Sequence, residues 1–136
     1  MEYHTEFNPR DGIVETTVEG DIDSLDDVQR FAADVAEMTR KCDCHHVLHD
    51  LRRTVVKLST SDIFTAEEIV KRVGLAGPVK RALVIGSLHR DGQFYETVLL
   101  NRGHFVKLFT DLESAREWLL RLKGIGEDPG AGSNGE

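Results

Sequence analysis

The apolar residues of this chain change their spacing several times, and each change marks an element boundary. Tyr3 to Phe7 predicts a strand, Asn8-Pro9-Arg10-Asp11-Gly12 reads as a turn, and the β-branched, partly alternating run Ile13–Glu19 predicts a second strand. Together they predict an antiparallel hairpin. From Leu25 the spacing moves to three and four residues. Leu25, Val28, Phe31, Ala32, Val35 and Ala36 then form one helical stripe, with Asp27, Arg30, Asp34 and Glu37 opposite. Ser24 stands at the N-cap position, with Asp26 and Asp27 in the first turn, where the helix dipole favours them.

A short apolar strand, His46–His49, runs into Asp50-Leu51-Arg52-Arg53. After a brief loop, a second helix is predicted over about residues 60–73, with Ile63, Ala66, Ile69, Val70 and Val73 inward. Gly74 ends it, and Gly77-Pro78 prevents its resumption. Arg81–Ile85 is a continuous apolar run of the kind buried on both faces of a parallel sheet. Past Asp91-Gly92, a short helix is predicted over about residues 93–101, and Phe105–Phe109 reads as the last strand. Thr110-Asp111-Leu112-Glu113 has the form of a capping box opening a final helix that buries Leu112, Ala115, Trp118, Leu119 and Leu122.

The order is β-β-α-β-α-β-α-β-α. Alternation with short connections predicts an α/β fold, a mainly parallel sheet with right-handed crossovers and an N-terminal antiparallel hairpin. A single domain spans 1–123. The glycine-rich segment 124–136 is too polar to fold and reads as a disordered tail.

Composition narrows the function classes. The 136 residues, with 40% hydrophobic and 30% charged, suffice for a core without disulfides or metals. A net charge of −7 argues against nonspecific nucleic-acid or anionic-membrane binding, both of which need a basic footprint. No apolar run approaches the ~18–20 residues of a membrane span, and the N-terminal residues lack a secretory pattern. Cys42 and Cys44, one residue apart, suit reduced thiols and a cytoplasmic setting. An open hairpin edge offers a surface for a homodimer.

The chemistry-bearing residues gather around the third strand. Asp50, Arg52, Arg53 and Lys57 leave it, and Ser59, Thr60 and Ser61 open the next helix. Both groups are expected on the rim outside the carboxyl ends of the strands, where open α/β sheets dock ligands and partners. Two arginines there suit a carboxylate or phosphate, and an Asp50–arginine ion pair is the alternative. His89 and Arg90 leave the next strand and would join that anion site if they face the same way. Cys42-Asp43-Cys44-His45-His46 with His49 holds zinc-type donors, but the spacing fits no standard site, and His46 and His49 fall on opposite strand faces. Buried Cys44 with surface histidines is therefore the expectation, with no metal and no cofactor. Phe94-Tyr95-Glu96 and Asn101-Arg102 offer pocket walls, but no phosphate loop, nucleophile elbow or paired carboxylates support an enzyme.

The element order, the Asp50-Leu51-Arg52 strand exit and the closing Phe109-Thr110-Asp111-Leu112-Glu113-Ser114-Ala115-Arg116-Glu117-Trp118-Leu119 resemble the SpoIIAA-like branch of the STAS superfamily, over about residues 10–122. The resemblance implies a non-enzymatic regulatory or protein-interaction module, akin to anti-sigma-factor antagonists, with a protein partner such as a kinase or regulator. It also implies a phospho-acceptor at the start of the helix after the central strand, a register that falls on Ser59 with Thr60 beside it. Leu58 and Ser61 stand where that pattern has aspartate and glycine, and simple N-capping is the competing role for the hydroxyls. The same branch resembles the CRAL-TRIO lipid-exchange fold. That implies the alternative of a small hydrophobic ligand or lipid carrier, its cavity formed by Phe64, Val98 and Leu99 with Tyr95 and Glu96 nearby.

Overall fold

A computed structural model describes residues 1–75, 78–86 and 105–123. The helix predicted over 93–101 and the tail over 124–136 lie outside the described residues. The hairpin pairs β1 (Glu2–Asn8) antiparallel with β2 (Ile13–Ile22). Its turn is held by Asn8 and Asp11, whose side chains accept the backbone N–H groups of Arg10 at 3.0 Å and Ile13 at 3.2 Å. Helix α1 (Leu25–Lys41) starts at Ser24, whose Oγ accepts the Asp27 N–H at 3.3 Å, and the stripe read from the sequence is its buried face.

Strand β3 (His46–Val56) is much longer than its apolar pattern indicates. Asp50, Arg52 and Arg53 lie within it rather than at its exit. Two features of the sequence carry the strand onward. Thr54, Val55 and Val56 are β-branched and pair with Gly20, Asp21 and Ile22. Arg53 also finds Glu19 directly across, so the charges support the ladder instead of ending it.

Helix α2 (Thr60–Arg72), β4 (Lys80–Val84), β5 (Phe105–Phe109) and α3 (Leu112–Leu122) complete the described elements. Helix α2 closes in a Schellman turn: Gly74, at φ 105°, donates to Lys71 O at 3.1 Å, and Leu75 donates to Val70 O at 3.0 Å. Helix α3 is capped by Asp111, which accepts the Ser114 N–H at 2.8 Å, rather than by the Thr110–Glu113 box. A carboxylate at the positive end of a helix gains charge–dipole energy that a threonine hydroxyl does not.

The sheet order is β1-β2-β3-β4-β5, antiparallel only at β1–β2. The described strands are added to one side in chain order, and α1 and α2, which join β2 to β3 and β3 to β4, lie on one face. There Val14, Val18 and Val47 pack against Phe31, Ala32 and Val35 of α1 and Ala66 and Val70 of α2. Helix α3 covers the other face, with Ala115 and Leu119 on Ile13, Leu48, Ala82 and Val84. Among the described strands the order never reverses, so they form no switch-point crevice of the nucleotide-binding kind.

Candidate functional site: a paired rim and a buried polar couple

The rim is shaped by an irregularity in β3. Thr17 pairs with Asp50 and Glu19 with Arg53, so β3 carries one extra residue at Leu51–Arg52. Such a bulge re-aims side chains. Here the Asp50 carboxylate takes Arg52 Nε at 2.9 Å, Arg52 Nη2 at 3.0 Å and the Arg52 backbone N–H at 3.2 Å. Burial pushes the Asp50 pKa upward, but the hydrogen bonds and charge of Arg52, with Arg53 adding, leave it below the usual carboxylate range. Arg53 meets Glu19 at 3.0 Å and Lys57 meets Asp21 at 2.8 Å. Each of the three cations is thus committed to a carboxylate, and an incoming anion meets paired rather than free charges.

Beside this ladder stand the hydroxyls of α2. Ser59 is exposed; its Oγ accepts the Asp62 N–H at 3.1 Å and lies 3.3 Å from Ser61 Oγ. Thr60 and Ser61 are exposed as well. Val55 is 56% exposed and Val56 47% exposed; as successive residues of β3 they point to opposite faces, Val55 with its partner Asp21 and Val56 with Ile22 toward the cavity side. An exposed large apolar side chain such as Val55, beside the charged pairs on its own face, has the make-up of a protein-docking surface, which the sequence pattern did not single out.

The histidines are the main correction to the sequence reading. His46 and His49 are buried, not on the surface, because β3 is a central strand covered on both faces. Only His45 of the three is exposed. Cys44 is buried as expected, its Sγ 3.1 Å from the Gly12 carbonyl oxygen, and burial pushes the thiol pKa up, which makes it a poor nucleophile. No group of three or more metal-type donors converges among the described residues.

His49 lines an apolar cavity of about 320 Å³ between α1, α2 and the sheet. Its walls include Ile22, Phe31, Leu51, Ile63, Val70 and Leu83, and two further polar residues, Arg81 and Glu67, reach into them. The cavity therefore sits under the first and second helices. Phe64 is half-buried outside its lining, while Tyr95, Glu96, Val98 and Leu99, like His89 and Arg90, lie outside the described residues. Sequence reasoning missed Arg81. Its position in the inward set 81, 83 and 85 of an apolar strand was the available signal, since a charge there must be buried.

No family model and no curated protein matches the chain. Solved structures do. An anti-sigma factor antagonist from Mycobacterium paratuberculosis superposes with a TM-score of 0.57 at 16% identity, covering 87% of this chain and 94% of its own. A protein from Shewanella loihica described as having a SpoIIAA-like fold superposes with a TM-score of 0.59 at 14% identity, covering 87% and 92%. The chain has the SpoIIAA-like fold. At these identities the likeness speaks for the SpoIIAA-like architecture and leaves the chemistry to this chain's own residues.

Proposed function

We propose that this SpoIIAA-like domain is a non-enzymatic regulatory module that binds a protein partner through the rim at the end of β3 and the start of α2. The observation that carries the reading is Val55, exposed at the end of β3 beside the Glu19–Arg53 and Asp21–Lys57 ion pairs, with the exposed Ser59, Thr60 and Ser61 following at the start of α2. The anti-sigma factor antagonist of like fold supports a regulatory role. Ser59 is the switch of this reading. A phosphate on its oxygen would sit at the N-terminus of α2, where amide hydrogens and the helix dipole favour it. It would also place up to about two negative charges on the docking patch. The two free thiols accord with a cytoplasmic setting.

The test is photo-crosslinking in the protein's native cells, with the crosslinker at position 55 or, as a control, at Arg10 in the hairpin turn at the opposite end of the strands. A discrete protein adduct from position 55 alone is expected. The same adducts from both positions would refute docking at this rim.

A second reading, a carrier for a small hydrophobic ligand, is supported by the cavity under α1 and α2. Its volume lies at the lower end of the ~300–1,000 Å³ typical of ligand sites. Native mass spectrometry of protein purified without metal affinity tests it: a bound organic mass released on denaturation is expected, and a clean apo mass counts against it.

A further inference from the structure

The walls of the cavity are apolar, yet they hold buried polar atoms that the protein itself leaves unmatched. His49 is 4% exposed, and neither of its ring nitrogens has a hydrogen-bond partner among the described residues. Phe31 meets the imidazole edge-on, with 6.3 Å between ring centres, and offers it no polar atom. Arg81 is 3% exposed. Its Nη1 and Nη2 both reach a single oxygen, Glu67 Oε1, at 3.4 Å, and its Nε has no partner. Charge-assisted bonds of this kind normally close to about 2.7–2.9 Å, so Glu67 compensates the buried guanidinium only weakly. In the sheet, Val47 pairs with Arg81 and His49 with Leu83, which makes His49 and Arg81 diagonal neighbours on the same face. Two N–H donors therefore face one apolar space from adjacent strands.

We infer that this cavity binds a single-chain amphiphile with a carboxylate head, the carboxylate accepting from Arg81 Nε and His49 and the chain lying along Phe31, Leu51, Ile63 and Val70. The inference rests on the carrier reading and adds the head group to it. A buried cation with an unmatched donor is costly, and an anionic acceptor removes that cost where an alkyl chain alone does not. Neutral imidazole supplies one N–H, and the tautomer that turns it toward the head is selected by the ligand. The small volume favours one medium-length chain over a two-chain lipid.

The experiment is calorimetric titration of the full chain with decanoate and with 1-decanol, repeated on His49→Phe and Arg81→Met. His49→Phe keeps a ring against Phe31 and removes only unpartnered nitrogens, so it is expected to fold even if Arg81→Met does not. Wild type should bind decanoate about 10- to 100-fold more tightly than decanol, the worth of one or two hydrogen bonds to a charged group. That preference should shrink about tenfold or more in His49→Phe, with decanol affinity little changed. Equal binding of the two probes would overturn the head-group assignment while leaving the carrier reading intact. Binding of neither would overturn both. A decanoate preference that both variants preserve would place the anion elsewhere and overturn the assignment.

Discussion

Ser59 and His49 were both legible in the sequence, and only one of them in its true setting. Ser59 was readable because capping is local: a hydroxyl three residues before a backbone N–H needs no tertiary context. Replacing it separates its two roles. Ser59→Ala should cost about 0.5–2 kcal/mol in urea unfolding, whereas Ser59→Asp, itself a good cap, should stay within about 0.5 kcal/mol of wild type. Equal losses for both would show that the hydroxyl does more than cap. His49 was misplaced because burial of a strand residue depends on what covers the sheet. Burial, with the Arg81 charge adding, holds its pKa well below the usual imidazole range. The groups facing it are Arg81 from β4, Glu67 from α2 and the uncharged Phe31 from α1 and Thr16 from β2. Below about pH 6.5 the unfolded chain takes up a proton that folded His49 refuses, so stability falls as pH drops through that point. Between pH 7.5 and 5.5 wild type should lose up to about 1.4 kcal/mol more than His49→Phe. Parallel pH profiles of the two proteins would contradict a neutral buried His49.

At the scale of elements, helices were read well and the central strand poorly. The stripe of α1, the start of α2 and its end at Gly74 each follow from spacing and from caps that act within one turn. Gly74→Ala should cost about 1–2 kcal/mol, since φ 105° is strained for any residue with a Cβ. A smaller loss would mean that the Schellman turn relaxes at little cost. β3 was cut short because its second half carries charges, and a charged residue in a half-exposed strand looks like a loop until its partner is known. Those partners, Glu19 and Asp21, lie on β2 more than thirty residues earlier in the chain. The bulge at Leu51–Arg52 is invisible to periodicity for the same reason. It sets Asp50 beside Arg52, while Val55 and Val56 are exposed where β3 runs past the end of β4, whose pairing stops at Asp50.

For the whole molecule, the order of elements was legible because alternation and handedness leave few topologies. The site was legible only in part: the sequence singled out the charges of β3 and the hydroxyls that open α2 but not the exposed valines, and the cavity residues it named as Tyr95, Glu96, Val98 and Leu99 lie outside the described residues. Rim and cavity share Val56 and Leu58, which line the cavity and immediately precede the hydroxyls of α2. The central claim, docking through that rim, is tested most directly by the affinity of the partner captured at position 55 for wild type, Val55→Glu and Ser59→Asp, with thermal melting alongside. The account predicts that both variants bind at least about tenfold more weakly, a loss of ~1.4 kcal/mol or more, while their melting temperatures stay near wild type. Wild-type affinity in both variants would contradict it.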